Sequence, residues 1–416
     1  MITRVFRAAS PGLLMAGMAI GVSHLVQSTR AGAGFGFQLV GLVIAVHLAK
    51  YPFFEYGHRY AAATGESLLH GYLRLGRGAL IAYFLINLVT SVIGIAAIVF
   101  VTTALAQNLF QLGPDPTVWS ALLIAAAIAL VIIGRFRGLD LVIKIMVSVM
   151  VVATVLALAA AVWHGSVAPE SYQGASPWQA VHLGFLIALM GWMPNAIEVS
   201  VYQSLWVVAR DTTNGRRVSL AETLLDFNLG YGLTALMAVA FVSLGALVMY
   251  GSGEVFASSS ADFASQFVGL YAQTLGEWSR PVVAVVALFA MLSTSLTAID
   301  ASPRSLAVAQ ILLRRRTPQS WERLHAVWMI GVGLAALLII YAFRSRFTHF
   351  IDLVTMIAFL AAPVFAYLNM RVIASPHVPE DTRPGPAIRV LAVAGLVFLI
   401  GFGLLWLIVR FGLLGP

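Results

Sequence analysis

The 416-residue chain has no cysteine and little charge: only 10% of its residues are Asp, Glu, Lys or Arg. Without a thiol there is no disulfide framework, no zinc-finger spacing and no thiolate nucleophile. Soluble domains carry about 25% charged residues. A chain this poor in charge, 60% hydrophobic and with a mean hydropathy of +0.91, belongs in a lipid bilayer. The net charge of +8 would suit nucleic acid, but the basic residues fall in short clusters between apolar runs, which is how membrane topology is set. No nucleic-acid partner is expected. Zinc motifs, a nucleophile elbow and a phosphate loop are missing as well, so neither an enzyme nor a cofactor is expected. Arg4 and Arg7 precede an apolar run that no small-residue cleavage site closes, so a removable signal peptide is not expected.

What the chain does have is a series of apolar runs. A helix needs roughly 20 such residues to cross hydrocarbon. Eleven runs fit, near 11–29, 36–58, 79–109, 118–134, 139–163, 179–207, 220–249, 281–312, 323–343, 349–372 and 388–411. Their apolarity is continuous rather than alternating, which predicts helices and not barrel strands. Arginines crowd the connections at 4–7, 59–77, 135–137, 210–217, 314–323 and 371–389, whereas the other side receives only Arg30, Arg280, Arg344, Arg346 and Arg410. By the positive-inside rule the N-terminus is cytoplasmic and, after an odd number of spans, the C-terminus is outside. A bacterial inner membrane and a monomer are expected. The Ser- and Gly-rich stretch near 250–280 reads as an outer loop with a short amphipathic piece, and the Pro-rich 374–389 as a connector.

Two runs are interrupted. The first reads AIGVSHLVQ (19–27), with Gly21, Ser23 and His24 in its middle; the sixth reads LIALMGWMPNAIEVSVYQ (186–203), with Gly191, Pro194, Asn195 and Glu198. Proline removes a backbone N–H and clashes with the preceding turn, and glycine weakens a helix by about 1 kcal/mol relative to alanine. One kinked helix, or one histidine bonded to a neighbouring carbonyl, is ordinary structure. Interruptions in corresponding spans of two halves point instead to a transporter's midplane site, where half-helix ends and unwound carbonyls face a cavity. The five-span spacing predicts an inverted five-plus-five repeat, with residues 1–164 and 165–373 as the halves and 374–416 as an added connector and span.

The stretch SPGLLMAGMAIGVSHLVQSTRAGAGFGFQLV (10–40) resembles the first helix and following loop of the Nramp divalent-metal transporters, whose pattern runs GPG, an apolar stretch, DPGN, then an N-x-x-A-G-A-x-F-G-like segment. WMPNAIEVS (192–200) resembles that family's sixth-helix MPH segment, GRFRGLDLVIKIMVSVM (134–150) its basic turn between helices four and five, and AETLLDFNLG (221–230) its start of helix seven. The likeness runs over spans one to seven and weakens through eight to ten. It implies the LeuT-like inverted repeat with broken helices one and six. Aligned through SPG and AGAGFG, the family's metal-binding Asp falls on Gly21, its Gly on Ser23 and its Asn on His24. The metal-binding Met falls on Met193, the histidine that follows it on Asn195 and a second one on Ser200. The proton-route acids fall near Ile95 and Ile98, and the tenth-helix Gln near Thr355.

Two expectations stand side by side. A divalent cation that sheds water needs negative or strongly dipolar oxygens in exchange, and Gly21 supplies none. His24, Met193 and Asn195 would offer imidazole, thioether and amide, a neutral set suited to a softer transition metal; metal transport with weak or absent proton coupling is the leading expectation. Alternatively the metal site is lost, and small Gly21 and Ser23 enlarge the cavity for an organic cation or amino-acid-like solute, held by Asn195 and helix-end dipoles. Glu198, Asp226 and Asp352 are the acids available for coupling or gating, although Asp226 reads equally well as a helix-end charge. Glu55–Arg59, Asp140–Lys144 and Asp300–Arg304, each spaced i, i+4, read as self-neutralising pairs. Lys50 is expected to snorkel or pair.

Overall fold

A backbone N–H or C=O in hydrocarbon has only other backbone groups to bond, so each apolar run winds into a helix. The computed structural model describes residues 11–412 apart from 112, 114, 134–136, 170, 254–258 and 316–320. Span one is α1 (Pro11–Ala19), a break, π-helical turns over Ser23–Ser28, and α2 (Thr29–Phe35). Span two is α3 (Val40–Thr64), followed by the short α4 (Leu68–Leu75). Spans three to five are α5 (Arg77–Phe110), α6 (Pro116–Ile133) and α7 (Arg137–His164). Span six is split into α8 (Leu183–Gly191) and α9 (Val199–Asn214), and span seven is α10 (Leu220–Val248). The loop after span seven carries α11 (Ser260–Leu275), the short helix expected there. Spans eight to eleven are α12 (Ser279–Arg314), α13 (Trp321–Phe343), α14 (Phe347–Ile373) and α15 (Pro386–Arg410). These are the eleven spans expected, with the interruptions in one and six. Among the described residues, eight helical stretches are long and apolar enough to cross a membrane, and Pro116–Ile132 and Ala180–Gly191 are shorter apolar helices.

Local chemistry sets the ends. Ser219 and Ser259 cap α10 and α11, each accepting a backbone N–H three residues on at 3.2 Å, while Gly65 closes α3 in the left-handed region at φ +75°. The side chains of Asp140 and Lys144 lie outside the described residues. Glu55–Arg59 and Asp300–Arg304 pair as their spacing predicts.

Span seven holds both halves of span one by backbone contact. A Cβ on Gly32 of α2 would lie 1.9 Å from the Val242 carbonyl oxygen, and one on Gly245 2.3 Å from that of Thr29. At the other end, a Cβ on Gly230 would lie 2.1 Å from the Gly12 oxygen, and one on Gly12 2.1 Å from that of Asp226. Small residues let membrane helices approach this closely, where packing rather than hydrophobicity drives association. Span ten meets span six in the same way: a Cβ on Gly191 would sit 1.8 Å from the Thr355 oxygen, at the point where α8 ends.

Gly191→Ala therefore forces the break of span six away from α14. Overpacking of this kind costs about 1–3 kcal/mol, read as a lowered thermal-unfolding midpoint of the detergent-solubilised protein. Gly34→Ala, with nothing within 4 Å of the added methyl, should leave the midpoint unchanged or slightly raised.

Candidate functional site

At the break in span one the hydrogen-bond ladder loosens around Gly21: its N–H bonds Ala19 O at 2.7 Å, and its carbonyl accepts from both His24 N (3.1 Å) and Leu25 N (2.9 Å). The Ser23 hydroxyl lies between the two broken spans, 3.1 Å from Ala19 O and 3.4 Å from Pro194 O. In span six, α8 ends at Gly191 and the helix resumes at Val199, so the carbonyls of the last turn lose their helical partners. Lys50 of span two answers them. Its Nζ donates to Met190 O at 2.7 Å, Gly191 O at 2.7 Å and Asn195 O at 3.2 Å, and the side chain is wholly buried. A carbonyl only accepts, and a neutral amine has two protons to give, so three such contacts describe the ammonium form. Lys50 is thus buried where snorkelling was one expectation, and its hydrogen bonds go to carbonyls in place of a carboxylate; it caps a helix end whose partial charge is negative.

Between the two breaks lies a small cavity of about 50 Å³. Span one contributes Met18, Ala19, Val22 and Ser23; span three Thr90, Ser91, Gly94, Ile95 and Ile98; span six Trp192, Asn195, Ala196, Glu198, Val199 and Tyr202; and span eight Thr294, Ala298 and Ser302. Two buried polar atoms of the lining residues have no hydrogen-bond partner, Asn195 Nδ2 and Glu198 Oε2, while the Ser91 and Ser302 hydroxyls lie beside the Tyr202 hydroxyl. Buried polar groups are normally satisfied. The oxygen of Asn195 is used locally, accepting from Ala196 N at 2.9 Å, which leaves its NH₂ as the free function. The Tyr202 hydroxyl donates to Asn87 Oδ1 at 2.7 Å, fixing the ring at the cavity wall.

Of the residues singled out from the sequence, Ser23, Asn195 and Glu198 meet on this cavity. Others do not. A Cβ on Gly21 would lie 3.1 Å from Thr294 Cγ2, so Thr294 fills the space the glycine leaves and the cavity is not enlarged there. His24 is fully buried, with Nε2 2.9 Å from Thr234 O and Nδ1 2.8 Å from Ser23 Oγ. The carbonyl accepts only, so Nε2 carries a proton by assignment from its partner, and both ring nitrogens are occupied within the protein. Met193 is fully buried and outside the lining. Thr355 is outside it too: its hydroxyl donates to Ile351 O at 2.9 Å and accepts from Gln27 Nε2 at 3.3 Å. The proposed ligands His24, Met193 and Asn195 are therefore not gathered on one cavity, and among the described residues no group of three or more His, Cys, Asp or Glu is placed to hold a metal. A sixth-span cradle already occupied by Lys50 adds repulsion: at 4 Å and an effective dielectric of 20, each unit of added positive charge meets about 4 kcal/mol.

The remaining acids have structural partners. Asp226 accepts the Gly12 N–H at 2.9 Å, so it caps the start of α1. Asp352 takes a forked bond from Arg30 at 2.6 and 3.2 Å and another from Gln27 Nε2 at 3.0 Å; Gln27 Oε1 accepts from Arg30 at 2.9 Å. The Arg30 guanidinium also lies over the Phe185 ring at 5.2 Å. This cluster joins spans one, six and ten at the end of the bundle opposite the arginine-rich connections.

Sequence reasoning missed Lys50, Ser91 and Ser302. Lys50 did carry a signal: it stands inside a long apolar run with no acid three or four residues away on either side. The two serines carried none, since hydroxyls are ordinary in membrane helices.

Comparison with known proteins places the chain. Residues 12–409 match the model of the family described as natural resistance-associated macrophage protein-like. An uncharacterized protein of Pasteurella multocida (strain Pm70) is 35% identical over 406 residues, covering 97% of this chain and 92% of that one. Among solved structures, a mutant form of the Eremococcus coleocola manganese transporter superposes with a TM-score of 0.74 at 12% identity, covering 100% of this chain and 89% of that chain. MhsT in complex with L-phenylalanine gives a TM-score of 0.62 at 14% identity, covering 97% of each chain. A nucleobase-cation-symport-1 family transporter with bromovinylhydantoin bound gives 0.57 at 16%, covering 96% of this chain and 91% of that chain. At these identities the structural likenesses speak for the fold, a LeuT-like inverted repeat with broken first and sixth spans. Eleven spans in that arrangement and a family match over nearly the whole length make this chain an integral membrane transporter, not an enzyme, and a member of the Nramp family.

Proposed function

We propose that the protein is a secondary transporter that moves a small polar organic solute, amino-acid-like in its chemistry, through the cavity between the broken halves of spans one and six. The observation that carries this reading is the unpartnered Asn195 Nδ2 and Glu198 Oε2 on a wall that mixes hydroxyls with apolar side chains. Glu198 Oε2 would accept from an amine, Asn195 Nδ2 would donate to a carbonyl or carboxylate, and the Ser91 and Ser302 hydroxyls serve either role. Trp192, Tyr202, Ile95, Ile98 and Val199 offer apolar surface for which a bare ion has no use. A second reading, divalent metal transport, is favoured by membership of the Nramp family and by the fold shared with a manganese transporter. An ion would then rest on Glu198, the one carboxylate on the lining.

With the arginine-rich end in the cytoplasm, the Arg30–Asp352–Gln27 cluster closes the outer mouth. Proton coupling would be weak or absent, because Ile95 and Ile98, where the family's acids align, present alkyl groups to the cavity.

A screen of purified protein by thermal shift and proteoliposome uptake, with neutral L-amino acids and small amines against Mn²⁺ and Cd²⁺, tests the cargo. Solute-dependent stabilisation and uptake are expected, with no heat from either metal by calorimetry; metal heat that disappears in Glu198→Gln would establish the second reading instead. Losing a hydrogen bond to a charged group costs about 1.5–3 kcal/mol, so Glu198→Gln should weaken solute uptake about 10- to 100-fold, and Asn195→Ala by a smaller factor. A pH dye sealed in the lumen should stay silent during uptake; a stoichiometric proton signal would overturn the coupling statement. The outer closure is tested separately. The chain has no native cysteine, so Ser23→Cys reports access to the cavity alone. Adding Asp352→Asn should raise its rate of modification by an external maleimide several-fold, and an unchanged rate would mean that the cluster does not close that mouth.

A further inference from the structure

Lys50 holds a position that neither the cavity nor the packing of span two explains. Three carbonyl oxygens at 2.7, 2.7 and 3.2 Å surround one positive centre at the end of a half-helix, away from solvent. Unwound carbonyls and the C-terminal ends of half-helices are the groups that transporters of broken-helix design offer to coupling cations, because hard cations exchange water for such oxygens. In this chain the cation arrives on a side chain from span two. It cannot diffuse away, and its three protons match the three acceptors one for one. Glu198, the acid on the cavity lining, is buried beside the same break in span six.

We propose that Lys50 is a tethered cation that fills the carbonyl cradle of span six, so that this protein works without a co-bound metal or alkali ion and refuses metal ions at that cradle. This rests on the cavity reading only where it concerns cargo; occupation of the cradle itself stands on the Lys50 geometry. The ammonium supplies permanently what a free ion would supply only when bound, and it repels any second cation brought to the same oxygens. Removing the side chain should turn a closed site into an open one.

Lys50→Ala tests this by a gain rather than a loss. The variant is expected to unfold at a lower temperature than wild type and to recover part of that loss on addition of methylammonium, Na⁺, K⁺ or Mn²⁺, with calorimetric heat for at least one of these; wild type should show neither response. A variant as stable as wild type and indifferent to all four cations would overturn the proposal. Should Lys50→Ala fail to fold even with these cations present, wild type decides: its unfolding midpoint should be the same in Na⁺, K⁺ and choline chloride and unmoved by Mn²⁺, and dependence on any of them would overturn the proposal. The Na⁺, K⁺ and choline readouts involve no cargo, and a response to Mn²⁺ or methylammonium bears on the cradle only where it persists in Glu198→Gln, which removes the carboxylate of the cavity. Cation rescue of Lys50→Ala alongside undiminished uptake by Glu198→Gln would therefore retire the cavity reading and leave the tethered cation standing, and the opposite pair of results would do the reverse.

Discussion

Hydrocarbon offers no water to a bare carbonyl, and an uninterrupted helix is the usual escape. Span six gives up that escape between Gly191 and Val199, and the deficit is made good by one ammonium group reaching across from span two. The rest of the site depends on that exchange. With Met190, Gly191 and Asn195 carbonyls held by Lys50, the backbone at the break keeps Asn195 and Glu198 on the cavity lining. A buried charge without partners would be very costly; three carbonyls and the end of a half-helix spread that cost over groups that needed a donor in any case.

Span one follows the same logic, and the histidine that drew attention in the sequence is part of the wall and not of the cavity. His24 is bonded at both nitrogens, and Ser23 beside it reaches toward Pro194 of span six. What these two residues build is a join between broken segments, behind a lining that mixes hydroxyls, one amide and one acid with large apolar side chains. A donor set of that kind recognises shape and hydrogen bonding more than charge alone.

Much of this architecture was legible in the sequence because it follows from few physical rules. Apolar run length gave the eleven spans, and Gly191, Pro194 and the Gly21–Ser23 pair marked the interruptions. The i, i+4 spacing identified Glu55–Arg59 and Asp300–Arg304 as pairs that neutralise themselves. Facing was not legible. In an ideal helix each residue advances by about 100°, but a break resets the phase, so alignment to a family motif cannot say whether His24 and Met193 turn inward. Thr294, on span eight, blocks the space beside Gly21 from far along the chain, and no local pattern announces such a contact. Lys50 was visible as an oddity, but the identity of its partners depends on where span six unwinds in three dimensions.

Glycine contacts between spans one and seven bear on how the molecule moves. Gly32, Gly245, Gly12 and Gly230 bring main chain against main chain with no flexible side chain between them. A seam of that sort has almost no slack, because closely packed surfaces shift between discrete arrangements instead of deforming smoothly. Either half of span one, in tilting, must carry the neighbouring stretch of span seven along or lose contact altogether. The travelling unit is accordingly a helix pair: span seven runs unbroken past both halves of span one, so the turn around Gly21 can bend only if one of the two glycine seams parts from it.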